Sequence, residues 1–145
     1  MLTGQWEGMA EAMEALDAIV SEVARDEVLA NALLSAAGRP MAADMRERAP
    51  RREPVPDMAD SITAVRTTEA RGEPGTVTVT IGPRKSHPHG FVAKFVELGT
   101  STRPAHPFMR PVFDEWQSRI SQEFVRAIRP AYERAVARFA KKARA

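Results

Sequence analysis

Apolar residues recur at steps of three and four along the first part of the chain: Met9, Met13, Leu16, Ile19, Val20 and Val23, continued by Val28, Leu29, Leu33, Ala37, Met41 and Met45. This is the period of one buried helical stripe, and Glu11, Glu14, Asp17 and Glu22 fill the polar side opposite it. Gly38 and Pro40 fall inside the pattern. Proline lacks an amide donor and its ring meets the carbonyl one turn back, so the helix should kink or break there. The spacing predicts helix resuming from Pro40 to about Arg48 and ending at Pro50, which gives a kinked N-terminal helical segment over residues 1–48.

The pattern then changes period. Residues 50–60, PRREPVPDMAD, are proline-rich and charged and read as a loop. Ser61–Val65 fits a strand, Arg71–Gly75 a turn, and Thr76–Ile81 a second strand whose alternation puts Val77, Val79 and Ile81 on one face. Two strands alone make a marginal sheet, and pairing with a neighbouring subunit is one remedy. Gly82–Gly90 is a loop. Phe91, Val92, Phe95 and Val96 fit a short helix with Gly99 as its C-cap, a strand being the alternative for so short an apolar run. Residues 99–111 hold three prolines in a stiff extended loop.

The last segment returns to the helical period. Phe113, Trp116, Ile120, Phe124, Ala127, Ala131, Ala135 and Phe139 form the stripe, which Ile128, Tyr132 and Val136 widen. Pro111 suits a helix start and Pro130 should kink the helix. From Val112 to Lys142 it would run roughly 45 Å at about 1.5 Å per residue, long enough to protrude or to pack on another subunit. The expected fold class is α+β: a long kinked N-terminal helix, a small antiparallel sheet over 61–111 with its proline loop, and a long C-terminal helix over 112–143. All of it is expected within one domain, 1–145.

Composition narrows the function. With no cysteine among 145 residues, thiolate catalysis, disulfide staples and cysteine-based metal sites are excluded. No apolar run approaches a membrane span, and the acidic N-terminus does not resemble a signal peptide, so synthesis in a bacterial cytoplasm is expected. The net charge of +2 hides an asymmetry: residues 1–35 carry seven acids against one base, residues 119–145 eight bases against two acids. The two ends should attract each other, within a subunit or between neighbours.

Little in the chain points to catalysis. There is no phosphate-binding glycine loop and no recognisable triad or metalloprotease motif. His87, His89 and His106 lack a fourth ligand, and Pro88 and Pro107 constrain them, so they read as solvated loop histidines and no metal or cofactor is expected. Glu97 sits among Phe95, Val96 and Leu98. If buried it needs a partner, such as Arg103 or Arg110, in a structural ion pair. Arg126, Arg129, Arg134, Arg138, Lys141, Lys142 and Arg144 form a candidate basic surface, and DNA binding through this helix is the alternative function.

The run from Phe95 to Pro111, FVELGTSTRPAHPFMRP, is more specific. With Ala49-Pro50 and Ser61-Ile62 upstream, it resembles the HK-ninety-seven-type gene-product-ten family of phage tail-completion and head–tail joining proteins, over roughly residues 36–125. Leu98 stands where the family has an aromatic, Val112 where alanine is common, and a proline-rich stretch replaces a Thr-Gly turn. The resemblance implies a structural subunit, not an enzyme, forming a ring, most plausibly a hexamer, at the head-proximal end of a tail. Its partners would be its own copies, the tail tube and the head connector, with DNA passing through the lumen unread. The particle would be a phage, a prophage or a gene transfer agent, and the arginine-rich composition fits a GC-rich genome. Glu97, Gly99, Thr100, Ser101, Arg103, Pro104, Phe108, Met109 and Arg110 are the candidate interface residues. Phe108 and Met109 are expected as apolar anchors on the stiff loop, or Phe108 as a plug of its own core. An acidic first helix meeting the basic last helix of a neighbour is expected to form part of the ring contact.

Overall fold

A computed structural model describes residues 8–51, 55–67 and 76–144. The expected turn at Arg71–Gly75, Glu7, and part of the proline-rich stretch lie outside them. The chain runs α1 (Met9–Val23), α2 (Asp26–Leu33), a widened π turn (Leu34–Gly38), α3 (Arg39–Arg48), a 3₁₀ turn (Met58–Ser61), β1 (Ile62–Thr67), β2 (Thr78–Pro83), α4 (Val92–Leu98), α5 (Met109–Gln117) and α6 (Ile120–Ala143). This is the expected α+β class, with a small antiparallel sheet among helices.

The first helical segment is divided differently from the sequence expectation. It breaks at Ala24–Arg25, where Arg25 adopts an extended backbone (φ −59°, ψ 133°) and Asp26 and Glu27 place negative charge at the start of α2. Gly38 and Pro40 cause no break. The helix widens ahead of the proline: the Arg39 N–H bonds to Leu34 O, five residues back, and Pro40 then falls in the first turn of α3. A π turn gives the proline ring room and absorbs its missing donor. Gly38 lies where a Cβ would stand 3.1 Å from Val79 Cγ1 and 3.2 Å from Ala64 Cβ, so its bare backbone lets the widened turn approach the sheet.

β1 and β2 pair antiparallel in the register Ile62↔Pro83, Ala64↔Ile81, Arg66↔Val79. Val77, Val79 and Ile81 alternate with exposed Thr76, Thr78 and Thr80, the predicted faces. Helical packing on the inner face, from the π turn and α3, stabilises a ribbon that two strands alone would leave marginal. The Arg46 Nε–H donates to Ile62 O at 2.7 Å and ties α3 to β1.

The C-terminal segment is two helices, not one rod. α5 begins at Met109, and the chain turns at Ser118–Arg119 before α6, which at about 1.5 Å per residue is roughly 36 Å long. Pro130 lies inside α6, leaving Arg126 O without its usual donor. The turn resets the phase. α5 buries Val112 and Trp116 against α3 and leaves Phe113 exposed, while α6 lies along α1, α2 and the π turn. The core gathers Met41, Met45, Met58, Ile62, Ala93, Phe108, Val112 and Trp116. Met41 and Met45 fill it as expected, whereas Met13, on the same predicted stripe, is exposed.

Trp116 anchors α5 to α3. Its Nε1–H donates to Asp44 Oδ2 at 2.6 Å, and the Arg119 guanidinium stacks 3.9 Å from the ring centroid. Trp116→Phe removes the donor and most of the stacking while keeping an aromatic ring. We expect a loss of about 1–2 kcal/mol, read by urea denaturation followed by circular dichroism.

Candidate functional site

Gly99 ends α4 with φ +76°, and its N–H donates to Phe95 O. The backbone then doubles back. The Thr100 N–H bonds to Arg103 O at 2.8 Å while the Arg103 N–H donates to Thr100 Oγ1 at 3.1 Å, closing a tight turn. The His106 N–H returns to Val96 O at 2.8 Å, so the loop folds against α4 and is not extended. Thr100 to Pro107 are all exposed, which places Thr100, Ser101, Arg103 and Pro104 on the surface.

Glu97 holds the other end. Phe108 N–H and Met109 N–H donate to its Oε2 at 2.7 and 2.9 Å, and Arg110 N–H donates to Oε1 at 2.9 Å. A buried carboxylate thus takes the free donors at the start of α5, where the helix dipole also favours negative charge. This corrects the expected ion pair with the Arg103 or Arg110 side chain: the partners are backbone amides, and Arg110 adds only a nearby positive charge. Burial pushes the Glu97 carboxyl pKa up, but the three N–H bonds and Arg110 outweigh it and hold it below the ordinary value. Three of the carboxylate's roughly four lone-pair sites are thus committed to holding the start of α5.

Phe108 does not stand out from the loop. It is one of the largest fully buried side chains, and Met109 is half-buried against the same core. Of the two readings of Phe108, the plug is the one observed, because clamping the α5 start on Glu97 turns the ring inward. Large exposed apolar groups lie elsewhere on the same unit, at Phe91 and Phe95 and at Leu98, one turn further along α4. The sequence reading did not single them out. Their spacing of four and three was a signal, but α4 also carries apolar Val92, Ala93 and Val96 on its other side, and the pattern alone does not say which side faces the core.

The seven basic candidates are exposed along α6 and its C-cap, Arg144. At about 100° per residue they spread around much of the helix and make no single stripe. Arg126 pairs with Glu123 at 3.2 Å and Arg138 with Glu22 at 2.6 Å. The second pair shows the acidic α1 meeting the basic α6 within one chain, one of the two arrangements that the charge asymmetry allows. Among the described residues Arg129, Arg134, Lys141, Lys142 and Arg144 form no ion pair.

Two of the three histidines have a side-chain partner, where solvated loop positions were expected. His89 Nδ1 lies 2.7 Å from Asp57 Oδ1, and half-buried His87 places Nε2 4.0 Å from Oδ2 of the same carboxylate. The His89 hydrogen bond holds the Asp57 carboxyl below its ordinary pKa. No larger ligand group that would hold a metal is gathered among the described residues.

A family model described as "Bacteriophage HK97-gp10, putative tail-component" matches residues 10–99, which is 90 of the 145 residues. The match spans α1 through α4, including Ala49-Pro50, Ser61-Ile62 and the Val96-Glu97-Leu98-Gly99 turn, and stops before the proline loop. No curated protein and no solved structure matches the chain. Since the match takes in well over half of the chain, the protein belongs to the HK97-gp10-like family of phage tail components.

Proposed function

We propose that this tail component assembles with copies of itself into a hexameric ring at the head-proximal end of the tail. There it completes the tail and forms the surface that docks on the head connector. The observation that carries the reading is the apolar surface left open on one chain of a tail-component family, above all Phe91, Phe95 and Leu98 on α4. Large apolar groups grouped in this way call for a protein partner. A ring follows when one subunit's patch binds a different patch on the next and the rotation closes. The clamped loop from Gly99 to Arg110 gives that surface a rigid edge, with Thr100, Ser101, Arg103 and Pro104 free to touch a neighbour. The role is structural, not enzymatic, and its place is the neck of a phage, prophage or gene-transfer particle.

DNA passes through the lumen without being read in this proposal. The exposed bases of α6 suit non-specific proximity to phosphate, and their spread around the helix argues against a dedicated duplex-binding face. No helix among the described residues is long and apolar enough to cross a membrane.

Electron microscopy of particles from a strain lacking the gene tests the proposal. Filled heads beside unattached or malformed tails are the expected result. Normal joined particles would overturn it.

A further inference from the structure

α4 and α1 each carry an apolar stripe that nothing among the described residues covers. On α4, Phe91, Phe95 and Leu98 are 67, 48 and 57% exposed, and the two phenyl rings meet edge to face with centroids 6.3 Å apart. The helix beneath them is held rigid by the Glu97 clamp and by the His106 N–H bond to Val96 O, so the stripe is a preformed knob. On α1, Met13, Leu16 and Val20 are 65, 62 and 54% exposed, at steps of three and four. The neighbouring side of α1 is already occupied: Ala18, Ile19 and Glu22 line a cleft with Ala135, Arg138 and Phe139 of α6. The outward stripe is therefore surplus to the packing of α1 on α6.

The charges beside the two stripes are opposite. Exposed Lys94 lies within the α4 run, and Arg103 sits in the loop at its C-terminal end. Exposed Asp17, four residues after Met13 and three before Val20, borders the α1 stripe. Pairing α1 with α1 sets Asp17 against Asp17, and pairing α4 with α4 sets Lys94 against Lys94. Of these three pairings only the unlike one brings opposite charges to the rim, and rim charges of this kind select register and partner. Met13 adds an adaptable side chain to the receiving surface.

We infer that neighbouring copies join by seating the α4 stripe of one chain, Phe91, Phe95 and Leu98, on the α1 stripe of the next, Met13, Leu16 and Val20. The inference rests on the ring reading and supplies its contact. Knob and seat lie on different elements, so a copy that gives its knob to one neighbour and receives the knob of another propagates the contact, and a suitable rotation closes the ring.

The absence of cysteine makes the test clean. A chain carrying both Leu16→Cys and Phe95→Cys, at exposed positions outside the core, is treated with a short bis-maleimide, in solution and in assembled particles. We expect a ladder of covalent multimers from the double variant, in particles if the free chain is monomeric, and no multimers from either single variant. Reversing Lys94→Glu should slow the cross-linking by about fivefold, and adding Asp17→Lys to that chain should restore it. Dimers from the single variants would overturn the inference in favour of like-with-like pairing. Intact rings or particles that give no ladder would overturn this contact and leave the ring standing. Failure of the ring itself is read separately, from normal joined particles in the deletion strain.

Discussion

Replacing Glu97 with alanine should cost roughly 3 kcal/mol of folding stability, a fall of about 10 °C in Tm for a chain of this size. Three amide donors converge on this carboxylate at 2.7–2.9 Å, and the Phe108 amide is buried. Hydrogen bonds to a charged acceptor are worth about 1.5–3 kcal/mol each, but water can reach the half-buried Met109 and Arg110 amides once the side chain is gone. The sum is therefore discounted towards the upper end of a helix-cap substitution. Glu97→Gln keeps the shape but offers one acceptor oxygen, and its amide NH₂ faces a donor. A loss of roughly 2 kcal/mol is expected, measured by urea denaturation at neutral pH. A Glu97→Gln protein as stable as the parent would mean that the charge plays no part.

Acid should erase the difference. The folded-state pKa of Glu97 lies below its ordinary value of 4.5, so the unfolded chain takes up the proton first as pH falls. The stabilisation is fully present above the unfolded value and is lost as pH drops through the folded one. Denaturation curves of parent and Glu97→Gln should be well separated at pH 7 and should converge once pH is well below 4.5. Asp57 and Glu115 also have lowered pKa values, from the His89 hydrogen bond and from the Arg48 hydrogen bond respectively. Both titrate in the parent and in the variant, so they do not enter the difference. A gap that persists at acid pH would assign the loss to packing.

The elements that follow one strong period were legible in the sequence. The alternation Thr76–Ile81 gave the inner face of β2, and the spacing from Ile120 to Phe139 gave α6. The breaks were not legible where no glycine or proline marks them. Ala24-Arg25 and Ser118-Arg119 interrupt helices without such a mark; at the second break α5 packs on α3 while α6 packs on α1 and α2, a tertiary demand that local propensity does not encode. Proline does not end a helix at either site: Pro40 is absorbed by a widened turn and Pro130 lies within α6. At the site, the unusual position of Glu97 among apolar residues was visible, but its partners are backbone amides 11 to 13 residues on, which no choice of side chain announces. The expectation that the proline loop presents Phe108 failed for the same reason. Only the clamp determines that the ring turns inward.

Gly99→Ala carries the other large effect, because two independent costs meet at that residue. The backbone at φ +76°, ψ 176° lies in a region that glycine alone adopts readily, at a cost of about 1–3 kcal/mol for an L side chain. An added Cβ would also stand 2.7 Å from Ala105 N and 3.1 Å from both Ala105 Cα and Arg103 O, all within the folded loop. Backbone atoms cannot step aside as a long side chain can, so the loop must move, and the bonds from Thr100 to Arg103 and from His106 to Val96 must yield with it. The expected loss is about 3 kcal/mol, with a rise in proteolytic cleavage between residues 100 and 107. The damage should not stop at the loop. His106 and Glu97 secure the two ends of one short segment against α4, so loosening one end lowers the local order with which the other presents the α5 start. Combining Gly99→Ala with Glu97→Gln should then destabilise by less than the two single losses together, since each variant already forfeits part of what the other protects. Strict additivity would show instead that the loop and the α5 start are held independently.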